Sequence, residues 1–116
     1  PGFNVFAYHQ GLLITPADGV LRGITRATII ELAEERGIPC AMESFDAAQL
    51  RDAQEIFLTS TAGGVMPVTM IDGQTVGEGV PGPVTMLLRE LYWEARERTE
   101  WSLAVDYTSE NLQVLG

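Results

Sequence analysis

The sequence predicts a mixed α/β fold, with helices flanking a mixed rather than purely parallel sheet. Three observations lead there. Strand-like apolar runs alternate with helical periodicity through the first half of the chain. Tight-turn signals at His9-Gln10-Gly11 and Asp72-Gly73 close hairpins towards both ends. Gly37 and Pro83 stand where a helix should stop and another should start.

Taken in order, Phe3 to Tyr8 reads as a strand, with Val5 and Ala7 on one face and Phe6 and Tyr8 on the other. His9 falls in the turn, and Leu12 to Thr15 returns as the second arm. Pro16 to Gly19 is a loop by composition. A helix follows, opened by Thr25 as N-cap and running to about Arg36. Ile29, Ile30, Leu32 and Ala33 form its buried side and Glu31, Glu34 and Glu35 face water. Ile38 to Ser44 is expected as a strand, and Asp46 caps a short helix through about Arg51. Glu55 to Thr59 carries Ile56, Phe57 and Leu58 in succession, the pattern of a strand buried on both faces. Val65 to Ile71 is a strand interrupted by Pro67, and Gln74 to Val76 completes the second hairpin. After a loop rich in glycine and proline, Pro83 takes the first position of the last helix. Its core stripe is Val84, Leu87, Leu88, Leu91, Tyr92 and Ala95. Met86 and Trp93, spaced i, i+7, are expected on the opposite face, packed against another domain or subunit, or covered by the tail through Trp101 and Tyr107.

Seven Lys plus Arg against sixteen Asp plus Glu give a formal charge of −9, which argues against nucleic acid and anionic membranes as partners. A single cysteine, Cys40, allows no internal disulfide and fits a cytoplasmic protein. No apolar run has the length of a membrane span. All the cations are arginines, so the chain has no lysine. It opens at Pro1 and enters a strand pattern almost at once. The expectation is that residues 1–116 are a fragment: a cleavage product, a separate chain of a nicked protein, or an excised portion.

Conventional catalysts are absent. His9 is the lone histidine, Cys40 has no evident base, and one His with one Cys does not make a zinc site. No catalytic residue and no metal ligand is assigned. What the residues do offer is equipment for binding an anion. In Leu21-Arg22-Gly23-Ile24-Thr25-Arg26, Gly23 permits close approach to a ligand, and the helix that starts there presents free N–H groups and a positive dipole end. On those residues alone a plainly capped helix is the favoured reading, since capped helices far outnumber phosphate sites. Thr59-Ser60-Thr61-Ala62-Gly63-Gly64, with three hydroxyls straight after an apolar strand, favours the anion site by adding a second set of donors.

These stretches also carry a resemblance. Gly2-Phe3-Asn4-Val5-Phe6, Leu21 to Arg26, Glu55 to Val68, Asp72-Gly73 and Gly82-Pro83-Val84-Thr85 stand in the order and spacing of the class IV, or fold-type IV, aminotransferases. Within that class, Gly2 to Phe6, Ala62 to Pro67 and the tail from Trp101 to Tyr107 resemble the (R)-selective amine transaminases most.

The resemblance implies the larger C-terminal domain of the D-amino-acid-aminotransferase-like fold, with a mixed sheet or pseudo-barrel, and pyridoxal 5′-phosphate as cofactor. It implies that Leu21 packs on the pyridine ring and that Gly23, Ile24, Thr25 and Thr61 bind the phosphate. Ala62 and Gly63 would line the substrate side. The family's cofactor-bonding lysine and the glutamate on the pyridine nitrogen belong upstream of Pro1, in an N-terminal portion that is the first expected partner. A homodimer of the complete enzyme, a small-molecule amine and a keto acid such as pyruvate are the others. Branched-chain or D-amino-acid aminotransferase is the alternative activity, and a non-catalytic phosphate-ligand or interaction module is the alternative of another class.

Overall fold

The computed structural model describes residues 3–17 and 23–98. Leu21, Arg22 and the tail segment from Trp101 to Tyr107 therefore lie outside the described residues.

Strands β1 (Asn4–His9) and β2 (Leu12–Thr15) form the first hairpin. Its turn is Gln10-Gly11, where φ of 48° and 84° gives the left-handed pair that matches strand twist. His9 is not in the turn as expected. It ends β1 opposite Leu12, half-buried, because the two left-handed residues alone reverse the chain.

Helix α1 (Ile24–Glu35) then crosses to β3 (Cys40–Met42), which pairs parallel with β2, as such a crossover permits. α1 ends as its sequence predicts. Gly37 takes φ 75°, its N–H donates to the Glu34 carbonyl at 3.0 Å, and the Ile38 N–H donates to the Ala33 carbonyl at 2.9 Å. β3 is shorter than the 38–44 strand expected, since only its parallel pairing with Leu13 to Thr15 holds it.

The short helix α2 (Ala47–Asp52) is capped by Asp46, which accepts the Gln49 N–H at 2.8 Å while the Gln49 side chain takes the Asp46 N–H at 2.9 Å. β4 (Glu55–Ser60) runs antiparallel beside β1, and β5 (Gly64–Val68) beside β4. The order β3-β2-β1-β4-β5 makes an open, mixed five-stranded sheet. Pro67 does not interrupt β5, because β5 is an edge strand and the missing N–H removes no ladder bond on the inner side. The break comes at Thr69, after which β6 (Met70–Ile71) and β7 (Gln74–Thr75) form a separate hairpin. Among the described residues, 83–98 form a further helix, α3.

Both faces of β4 are covered. On one face Phe6 and Phe57 stack with centroids 4.9 Å apart, and Ile29 and Ala33 of α1 and Leu88 and Tyr92 of α3 close over them. On the other, Ile56 and Ala7 meet Ala53 and Val76, with Leu50 and Ile71 packed alongside. The sheet is thus sandwiched between α1 with α3 and a smaller layer of α2 and the β6–β7 hairpin. Trp93 departs from expectation. It is half-buried against the first core, lying where a Cβ on Gly64 would come within 2.8 Å of its ring. Gly64, at φ 66°, has no Cβ, so the indole fills that space and only Met86 of the pair stays exposed, at 40%.

Candidate functional site

The start of α1 and the Thr61 turn come together at one cavity. α1 begins at Gly23, the N-cap, with extended φ −95° and ψ 140°. No side chain caps it. The first helical bond runs from the Ala27 N–H to the Gly23 carbonyl at 3.2 Å, so the N–H groups of Ile24, Thr25 and Arg26 have no acceptor within the helix.

Thr25 is therefore not the N-cap that the sequence suggests. It sits in the first turn, 2% exposed, and its hydroxyl points inward. It donates to the Ser60 carbonyl at 3.2 Å and lies 3.1 Å from the Tyr92 hydroxyl. Gly23 has no left-handed angle, and a Cβ there would stand 3.2 Å from the Asn4 side-chain nitrogen, a tight contact.

Beyond Ser60 the chain turns at Thr61-Ala62-Gly63. The Gly63 N–H donates to Ser60 Oγ at 2.8 Å, and a Cβ on Gly63 would meet the Met66 sulfur at 2.7 Å. Gly63 thus fixes the turn. Thr61 and Ala62 are exposed at its tip.

A cavity of about 290 Å³ lies where these pieces converge, lined by Ile24, Thr25, Thr28, Thr61, Tyr92, Ala95 and Arg96. Ile24, at 81% exposure, stands at its mouth. The cavity joins Ile24, Thr25 and Thr61, and its lining does not include Gly23, Ala62 or Gly63. Although the chain carries an overall charge of −9, the described residues of this lining include one arginine and no carboxylate. A wider groove of about 660 Å³ along α3 has Glu90, Glu94 and Glu97 on its rim and is unsuited to an anion. Backbone N–H groups without an acceptor inside the helix, hydroxyls, a helix N-terminus and a guanidinium form a donor set that fits a phosphate group.

Arg96 and Tyr92 were not foreseen as site residues. Tyr92 reads as core from its spacing, and its buried hydroxyl, which must find a partner, was the one available signal. Arg96 donates from Nη1 to the Thr61 carbonyl at 3.1 Å while its guanidinium stacks 5.3 Å from the Trp93 ring centroid. His9 faces the opposite layer, beside Ala7, Phe45 and Asp52. Among the described residues no group of His, Cys, Asp and Glu could hold a metal ion, and no helix is long and apolar enough to cross a membrane.

The amino-transferase class IV family pattern matches residues 1–71. This chain belongs to that family. It is 43% identical over 84 residues to the D-alanine aminotransferase of Bacillus licheniformis, covering 71% of this chain and 30% of that protein. Among solved structures it is similar to the branched-chain amino acid aminotransferase from Escherichia coli, with a TM-score of 0.76 and 39% identity over 79% of this chain and 32% of that one. The T.th. branched-chain amino acid aminotransferase with pyridoxamine 5′-phosphate gives a TM-score of 0.78 and 39% identity over 81% of this chain and 31% of that one. The chain therefore spans about a third of the length of these class IV relatives.

Proposed function

We propose that this chain is the phosphate-holding part of a pyridoxal 5′-phosphate-dependent transaminase. The observation that carries the reading is the cavity that joins the start of α1 to the Thr61 turn and holds Thr25, Thr61 and Arg96 in its lining. The Ile24 and Thr25 N–H groups and Thr61 would hold the phosphate, and Arg96 supplies positive charge at its edge. By the family pattern Leu21 packs on the pyridine ring, Gly23 lets the backbone close on the phosphate, and Ala62 and Gly63 line the substrate side. Bound there, the cofactor supplies the electron sink for amino-group transfer.

This chain's residues bind and orient; they do not move the proton. It has no lysine, and its single histidine faces the other layer of the sheet. The amine that bonds the cofactor and shuttles the proton therefore belongs to another portion of the complete enzyme, together with the glutamate on the pyridine nitrogen. In this reading that enzyme is a cytoplasmic homodimer. It moves an amino group from an (R)-amine or an amino acid to a keto acid such as pyruvate.

The Gly2 to Phe6 and Ala62 to Pro67 segments favour the amine as donor. The names of the relatives favour a D-amino acid or a branched-chain amino acid instead. Assay of the complete enzyme with an (R)-aryl-amine, D-alanine and leucine, pyruvate as acceptor, decides between them. Transfer from the amine is expected. Transfer from D-alanine or leucine alone overturns the amine assignment, and absence of any cofactor absorbance leaves a non-catalytic phosphate-ligand module.

A further inference from the structure

Helix α3 lies beyond the span 1–71 that the family pattern covers, yet three of its residues line the cavity, and the two with polar side chains are Tyr92 and Arg96. They sit four residues apart, on one face of the helix. Each holds a different half of the site. Tyr92 reaches the helix-end half through Thr25, hydroxyl to hydroxyl at 3.1 Å. The single Thr25 hydroxyl proton already goes to the Ser60 carbonyl, so Tyr92 is the donor to Thr25 Oγ1. Arg96 reaches the turn half, donating to the Thr61 carbonyl at 3.1 Å. Its stack on Trp93 fixes the plane of the guanidinium, and Trp93 is in turn seated over Gly64 at the end of the same turn.

We propose, resting on the phosphate assignment above, that Tyr92 and Arg96 are positioning residues that set the width of the phosphate cup. Tyr92 fixes where the Thr25 N–H stands, and Arg96 fixes where Thr61 stands. Arg96 also brings a guanidinium to the lining. A bonded pair that served packing alone would act on the fold equally whichever ligand was present. A pair that sets this cup acts on the phosphate.

The test compares pyridoxal 5′-phosphate with pyridoxal, which lacks the phosphate, as ligands of the complete enzyme after removal of its cofactor. Dissociation constants are read from difference absorbance for the parent, Tyr92→Phe, Arg96→Met and Arg96→Lys. Tyr92→Phe and Arg96→Met are each expected to weaken the phosphorylated ligand about three- to tenfold, the range of one lost hydrogen bond, with pyridoxal unchanged. Arg96→Lys, which keeps the charge but not the planar fork, falls between parent and Arg96→Met. Equal losses for both ligands, or no loss for the phosphorylated one, overturn the proposal. Should the parent itself show no preference for the phosphorylated ligand, the phosphate assignment falls and the positioning role with it. If Tyr92→Phe melts below the assay temperature, Arg96→Met and Arg96→Lys still decide, because Arg96 is only partly buried.

Discussion

The buried carboxylate of Glu55 accepts the N–H of Thr85 at 2.7 Å, thirty residues away, and that of Val84 at 3.1 Å through its other oxygen. The first residue of β4 thus caps α3 and satisfies two donors that α3 cannot pair internally. Glu55→Ala leaves both donors buried and unmet and should cost roughly 2–4 kcal/mol. Glu55→Gln keeps one acceptor but turns an N–H towards the other donor, and should cost about half as much. Thermal melting of the two variants beside the parent checks the order; a melting point unchanged in Glu55→Ala contradicts the cap.

Gly82 makes that cap possible. A Cβ on Gly82 would fall on the Glu55 carboxylate, so Gly82→Ala must push the carboxylate off its donors and should cost ~1–3 kcal/mol. Gly11 is the comparison. Nothing lies within 4 Å of a Cβ there, and φ of 84° is the only constraint. Gly11→Asn, which tolerates left-handed angles, should lie within ~1 kcal/mol of the parent. Urea unfolding of both variants measures the contrast.

What could be read from the sequence is what neighbouring residues decide. Asp72-Gly73 turns at φ 50° and 76°, Gly37 ends α1, and Asp46 caps α2 from three residues away, each a device contained in a few positions. Distant partners decided the rest. Thr25 looks like an N-cap until the Ser60 carbonyl, thirty-five residues on, claims its hydroxyl. Pro67 looks like a strand breaker until β5 proves to be an edge. Trp93 looks exposed until Gly64 makes room for it. The site followed the same division. Thr25 and Thr61 draw notice by local chemistry and Ile24 by the resemblance, whereas Tyr92 and Arg96 join the cavity lining only because α3 packs over the end of β4.

Burial pushes the Cys40 thiol above its ordinary value of 9.0, and the nearby Glu34 carboxylate raises it further. The folded protein therefore holds this proton more tightly than the unfolded chain does. The stabilising contribution is complete below about pH 9 and is lost as pH rises through the elevated folded value. Stability should accordingly decline with pH above 9, and Cys40→Ser, which does not titrate there, should decline less steeply. Denaturation midpoints for both proteins between pH 8 and 10.5 test the sign, and parallel slopes would refute it. The same shift predicts slow alkylation at pH 8 relative to a free thiol.

Thr25→Val removes a hydroxyl that ties α1 to the Ser60 carbonyl and to Tyr92 at once. Valine fills nearly the same volume, so the loss is in hydrogen bonding, and it leaves the Ser60 carbonyl and the Tyr92 hydroxyl short of a partner. About 1–3 kcal/mol of stability should go. Because Thr25 also lines the cavity, affinity of the complete enzyme for pyridoxal 5′-phosphate should fall by about tenfold or more, as expected for a bond to a charged group or for misplacement of the N–H that meets it. Thr25→Ser restores the hydroxyl without the methyl and should recover most of that affinity. It will not recover all of the stability, since the buried methyl is gone. Cofactor titration of the three proteins separates the two contributions. Equal affinity in Thr25→Val and the parent would remove Thr25 from the site and leave its hydroxyl a structural tie alone.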